Sequence, residues 1–260
     1  MIILMDAGNT NIKIGLDNGI TTLFTWRIAS DYSKTADEFG MMLFDLLSQN
    51  GYKFSDVKGI IISSVVPSIN YTLEHMCTYY FNIKPVMVSP KINLGGIKIR
   101  YNKPEDLGAD RIINAVAAYK IYGGPAITID FGSATTFGVI NRDGEFLGGV
   151  IAPGIKSSTE SLVNTGAKLP RIELIKPQSI ISDNTISNMQ AGVIYGFAGL
   201  VANIISEIKK ETGFNKAKVV ATGGLSLLVN EDVKDIQIID RSLSLKGLKI
   251  LYEINKQEEK

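Results

Sequence analysis

Residues 3–16 read Ile-Leu-Met-Asp-Ala-Gly-Asn-Thr-Asn-Ile-Lys-Ile-Gly-Leu, and residues 127–140 read Ile-Thr-Ile-Asp-Phe-Gly-Ser-Ala-Thr-Thr-Phe-Gly-Val-Ile. Each starts as a short apolar run, reaches Asp-x-Gly followed by small polar residues, and resumes as β-forming sequence. An apolar run bounded by turn residues predicts a buried strand. In both, a second turn follows, Asp17-Asn18-Gly19 or Asn141-Arg142-Asp143-Gly144, and then a third β-rich stretch, Ile20–Ile28 or Glu145–Ile151. Asp6 and Asp130 stand 124 residues apart in a chain of 260. A repeat of that period predicts two related α/β halves rather than a solenoid. The halves are expected at residues 1–117 and 118–260, with their Asp-x-Gly loops pointing into one cleft.

Outward from the repeat, Thr35–Gln49 carries Phe39, Met42, Leu43, Leu46 and Leu47 at helical spacing. Gly59–Val66 predicts a buried strand stopped by Pro67, Ile69–Tyr80 a helix and Pro85–Val88 a short strand. Ile112–Tyr122 predicts a helix broken by Gly123-Gly124-Pro125. Met189–Ile205 is the longest apolar stretch; its Gly192 and Gly196 form a G-x-x-x-G that a membrane span could also carry. Gln190 and Asn203 favour a buried helix in a soluble protein. His75 and Cys77 fall on one helix and read as structural, Trp26 reads as packing in the first meander, and Lys256–Lys260 as a frayed end.

Composition narrows the chemistry. Lys and Arg number 27 against 26 Asp and Glu, a net charge of +1, which argues against a broad grip on nucleic acid or an anionic membrane. One cysteine and one histidine exclude a disulfide framework, a multi-thiolate zinc site and a multi-histidine metal site. With Asp6 following only five residues, no export signal is expected, and a reducing cytoplasm is the natural compartment. Carboxylates, hydroxyls, backbone amides and metal ions are left to carry any reaction.

A glycine two residues after a strand-terminal Asp permits a tight turn and uncovers backbone N–H groups. Asn9, Thr10, Ser133 and Thr135 add donors, so two such loops could clamp a polyphosphate. Asp6 and Asp130 beside phosphates imply a cation between them, and Lys13 could add positive charge. There is no G-x-x-x-x-G-K-[ST] and no G-x-G-x-x-G. Ala221-Thr222-Gly223-Gly224-Leu225-Ser226 follows an apolar run and suits a nucleoside's flat approach or a helix start.

The order Asp-x-Gly-Asn-Thr, Asp-x-Gly-Ser-Ala-Thr-Thr, Thr-Gly-Gly resembles the superfamily of acetate and sugar kinases, heat-shock-protein ATPases and actin. Within it, the chain is most similar to type III pantothenate kinases. The resemblance rests on Asp6–Lys13, Ser63–Pro67, Tyr101–Arg111, Asp130–Thr136, Gly148–Gly154 and Ala221–Leu225, with Leu107–Arg111 the most specific piece. Ser133 stands where the family more often has Thr. The resemblance implies two duplicated ribonuclease H-like domains, with mixed five-stranded sheets facing across a nucleotide cleft. It implies transfer of the ATP γ-phosphoryl group to the hydroxyl of pantothenate, giving 4'-phosphopantothenate, the first step towards coenzyme A.

Residue by residue, the resemblance puts ATP on Asp6, Ala7, Gly8, Asn9, Thr10, Asn11, Ile12, Lys13 and Ser133. It puts pantothenate on Tyr101, Gly108, Ala109, Asp110, Arg111 and Thr185, with Asp110 as general base and Arg111 on the substrate carboxylate. Asp130 is expected to hold a monovalent cation, K+ or NH4+, and Asp6 to guide Mg2+ or another divalent ion through water. A homodimer is implied, with no nucleic-acid or membrane partner; Gly192, Gly196 and Gly199 suit either its interface or an intrachain helix pair. Two alternatives remain at this stage: a non-catalytic nucleotide-binding regulator on the same fold, and a sugar or acetate kinase.

Overall fold

The computed structural model describes residues 1–166 and 168–256. One sheet is built from β1 (Ile2–Ala7), β2 (Asn11–Asp17), β3 (Thr22–Ala29), β4 (Gly59–Ser64) and β5 (Val86–Met87), in the order β3-β2-β1-β4-β5. The other contains β6 (Lys98–Ile99), β7 (Ala126–Phe131), β8 (Ala134–Ile140), β9 (Glu145–Pro153), β10 (Lys218–Gly223) and β11 (Ile238–Ile239), in the order β11-β10-β7-β8-β9-β6. The helices are α1 (Ala36–Ser48), α2 (Pro67–Phe81), α3 (Ala109–Tyr122), α4 (Ile155–Thr165), α5 (Thr185–Thr212), α6 (Ser226–Asn230) and α7 (Leu243–Lys256).

The duplication is visible in the pairing. β1 runs antiparallel to β2 and parallel to β4; β7 runs antiparallel to β8 and parallel to β10. Both sheets are therefore mixed, and both halves have the expected ribonuclease H-like order. The second sheet has six strands rather than the expected five. Lys98 and Ile99 pair in parallel with Glu145 and Phe146 at the edge of β9. A two-residue strand carries no periodicity for a sequence to display.

The chain groups into two units, one of Met1–Ile97 and Tyr101–Ala117 with the segment from Leu243, the other of Lys98–Arg100 and Ala118–Ser242. The C-terminal segment was expected with the second half and groups with the first. Its contacts explain this. Gly59 makes room for the Tyr252 ring, Leu245 packs on Gly15, and Lys249 Nζ lies 3.2 Å from the fully buried Asp17 carboxylate. Removing either partner would strand a buried charge or its counter-ion. Residues 257–260 of the expected frayed end lie outside the described residues.

Each unit has its own core. In the first, Ile3, Met5 and Ile62 of the sheet pack with Phe39 of α1 and Leu73 of α2. Thr35 starts α1 with a reciprocal capping box to Glu38, and Pro67 opens α2 at a position that needs no N–H. In the second, Ile127, Ile129, Phe137 and Val219 pack with Val193, Phe197, Val201 and Ile205 of α5. α5 is the one helix among the described residues long and apolar enough to cross a membrane, and these side chains fill the second core instead. Asn184 caps its start and Gly213, with φ of 71°, ends it. Trp26 stacks on Phe24, and Cys77 is buried, its thiol pushed up to about 12 by that burial. His75 is exposed, stacked between Tyr71 and Tyr79 one helical turn away on either side.

Candidate active site

In the first unit, strand alternation decides where the chemistry sits. Ile3, Met5 and Ala7 enter the core, so Asp6 leaves β1 on the opposite face. In register, Asp6 lies between Lys13 of β2 and Ser63 of β4. α7 covers this same face: Leu245 meets Gly15, the partner of Leu4, and Tyr252 meets Gly59, the partner of Ile2. The helix thus runs back along β1 with its N-terminal end at Asp6, and the Ser244 hydroxyl hydrogen-bonds to the Asp6 carboxylate. Burial, then the negative charge of Asp110, pushes the Asp6 carboxyl up to about 6; the bond from Ser244, the charge of Lys13 and the Ser63 hydroxyl oppose the rise.

Asp110 is the second residue of α3 and is half-buried. Its Oδ1 accepts from the Arg111 backbone N–H at 2.8 Å. Desolvation raises its pKa, opposed by that bond and by the Arg111 charge. Gly108 leaves room for the Asp110 carboxylate: a Cβ there would come within 2.5 Å of Asp110 Oδ1 and that side chain would have to move. Arg111 is buried, and its Nη1 donates to the Tyr101 hydroxyl at 2.9 Å with the guanidinium over the Tyr101 ring. One cluster therefore holds two acids, a guanidinium and a phenol.

The loop after β1 is a tight turn with Gly8 N–H donating to Asn11 O at 3.0 Å. Asn9, Thr10 and Asn11 are exposed, whereas Ala7 and Ile12 are buried in the core, so only their main chains can meet a ligand.

In the second unit, Asp130, the penultimate residue of β7, lies beside Thr136 of β8 and Thr222 of β10. The turn closes through Gly132 N–H to Ala134 O at 3.1 Å. Gly223, at φ of 94°, brings its backbone so close that a Cβ would lie 2.6 Å from Phe131 O and 2.7 Å from Asp130 Oδ1. Gly154 likewise presses on the Ser133 carbonyl. Thr185 opens α5 and is exposed.

The structure gathers Asp6, Lys13, Tyr101, Gly108, Asp110 and Arg111 in the first unit, and Asp130, Ser133 and Thr185 belong to the second. Sequence reasoning missed Ser244 and the hydroxyls of Ser30, Tyr32 and Ser157, which bond to the two loops from segments distant in sequence. Such bonds leave no local pattern. Among the described residues, no three or more His, Cys, Asp or Glu side chains gather as a metal site. Two mutually repelling carboxylates, Asp6 and Asp110, nonetheless suit a cation bound partly by water, and the oxygens crowding Gly223 suit a hard cation at Asp130.

Duplicated mixed sheets with paired Asp-x-Gly turns define an actin-like fold. Solved structures agree on the fold. A Campylobacter jejuni protein described as a Baf family transcriptional activator matches with a TM-score of 0.62 and 21% identity, over 98% of this chain and 99% of that one. MreB 5 of Spiroplasma citri, bound to AMPPNP, matches at 0.60 and 10% identity, over 99% and 97%. A Porphyromonas gingivalis protein described as an N-acetylglucosamine kinase matches at 0.53 and 12% identity, over 98% and 100%. The type III pantothenate kinase family model matches residues 2–207, and the chain belongs to that family.

Proposed function

We propose that this kinase phosphorylates pantothenate. The observation that carries the reading is the first-unit cluster, in which Asp110 lies in the field of Asp6 while Arg111 and Tyr101 are joined beside it. Phosphoryl transfer demands charge neutralisation, in-line positioning and an acceptor for the hydroxyl proton. Asp110 takes that proton from the substrate's primary hydroxyl. The raised pKa of its half-buried carboxylate brings it nearer the working pH, and the α3 N-terminus keeps the ionised form available. Arg111 holds the pantothenate carboxylate through its planar fork, and the Tyr101 hydroxyl fixes the orientation of that fork.

The phosphates of ATP are assigned to Asp6–Lys13 and to Ser133. Lys13 supplies positive charge, and the glycine turns supply amides. A divalent cation on ATP would neutralise phosphate charge, with Asp6 holding it through water. A monovalent cation, K+ or NH4+, is assigned to Asp130. The exposed Gly192, Gly196 and Gly199 have no described atom of this chain within 4 Å of an added Cβ, which supports a homodimer packed along α5. A cytoplasmic location fits the single buried cysteine.

The test is ADP release with pantothenate, acetate and glucose in parallel, with and without potassium or ammonium. Turnover with pantothenate alone is expected. Equal turnover with acetate or glucose would overturn the substrate assignment, and ATP binding without any turnover would favour a regulator.

A further inference from the structure

Three consecutive carbonyls of the first phosphate loop are held by one short segment just beyond β3. Ser30 Oγ donates to Gly8 O at 2.5 Å, Tyr32 OH to Asn9 O at 3.0 Å, and Ser30 N–H to Thr10 O at 3.1 Å. The last bond extends the β2–β3 ladder by one residue; the other two come from side chains. In the second unit the segment just beyond β9 stands at the same topological place. There Ser157 Oγ donates to Ser133 O at 2.9 Å, and Gly154 packs against the same carbonyl. The sequences of the two segments are unrelated, yet each delivers a hydroxyl to the carbonyl side of its loop.

In a planar trans peptide, the carbonyl of one residue and the N–H of the next point in opposite directions. Fixing the carbonyls of Gly8, Asn9 and Thr10 therefore aims the N–H groups of Asn9, Thr10 and Asn11 away from Ser30 and Tyr32. Fixing Ser133 O does the same for the N–H of Ala134. A loop left free to rotate these peptides would present carbonyl oxygens, which repel an anion, as readily as it presents amides.

We infer that Tyr32, Ser30 and Ser157 are positioning residues: they hold the loop carbonyls back so that the amides face the nucleotide phosphates. The inference deepens the kinase reading and rests on it. Tyr32 and Ser157 are exposed, so their variants keep the core intact. For Tyr32→Phe and Ser157→Ala, three quantities decide: amide hydrogen exchange across Gly8–Asn11 without nucleotide, the KM values for ATP and pantothenate, and the thermal midpoint. Tyr32→Phe is expected to speed exchange in its loop. Each variant is expected to raise the ATP KM about two- to tenfold, the range one hydrogen bond supplies. The pantothenate KM and thermal midpoint stay unchanged, and Ser157→Thr restores the wild-type KM for ATP. Faster exchange with an unchanged ATP KM overturns the inference and leaves the kinase reading standing. Equal rises in both KM values with a lowered midpoint also overturn it, because that is the mark of a structural role. A wild-type protein that never turns over ATP overturns the kinase reading, and the inference with it.

Discussion

The two Asp-x-Gly turns are descendants of one pattern that have come to differ. Four residues separate the last pair of β1–β2, Ala7 and Ile12; three separate Phe131 and Thr135 of β7–β8. Beyond the turn, the structural repeat is therefore offset by one from the sequence match, so that Gly15 corresponds to Gly138 and Lys13 to Thr136. Opposite its aspartate, the first turn carries a lysine and the second a threonine. On the parallel neighbour, the residue paired one step beyond the aspartate is Ser64 in the first unit and Gly223 in the second. The first unit collects charge: Asp6, Lys13, Asp110 and Arg111. The second collects hydroxyls and close backbone. Duplication supplied the same scaffold twice, and the side chains at the two turns differ, with the charged groups gathered on one half.

Variants that erase this asymmetry should differ in size of effect. The largest is expected for Asp110→Asn, which removes the proposed proton acceptor: kcat should fall roughly 100-fold or more in a coupled assay, with ATP affinity within a few-fold of wild type. Arg111→Ala should raise the pantothenate KM by about 10- to 100-fold, the worth of a lost charged hydrogen bond, and the ATP KM by much less. Lys13→Thr gives the first turn the second's residue, and its ATP KM should rise on the order of tenfold, by the same reasoning for a cation on phosphate. Gly223→Ser makes the opposite exchange. The added side chain meets Phe131 O and Asp130 Oδ1 at positive φ, so unfolding by denaturant should show a loss of about 1–3 kcal/mol.

The smallest effect is a displaced pH profile. Under the proposed role, Asp6, raised to about 6, acts in its ionised form, so kcat/KM should fall as pH drops through about 6. Ser244→Ala removes a bond that lowers this pKa and should move that acid limb to higher pH. Stability runs the other way. Between about 6 and the ordinary value of 3.8, the folded protein binds a proton the unfolded chain does not, so Asp6 contributes stability as pH falls through that window. A profile flat through pH 5 would remove ionised Asp6 from the reaction.

Much of this was legible in the sequence because it is local. Alternation around Asp6 and Asp130, turn residues at Gly8 and Gly132, and apolar periodicity in α1 and α5 specify strands, hairpins and helices within short windows. The Leu107–Arg111 segment was legible as a unit because its residues lie side by side at one helix start. What was not legible depends on tertiary placement. The one-residue difference between the turns hides in an ungapped match of small polar residues. β6 is too short to show a pattern, and α7 returns to the first sheet after the whole second unit. Ser244 and Tyr32 are ordinary surface-type residues in sequence and acquire meaning only through the partners that folding gives them.

The central claim is that the first unit's acids and guanidinium make this chain a kinase acting on pantothenate. Its most direct test is pantothenate-dependent ADP release measured side by side for the wild type and Asp110→Asn. The account predicts release that requires pantothenate and collapses in the variant. Equal rates in the two proteins would contradict it, as would release indifferent to pantothenate.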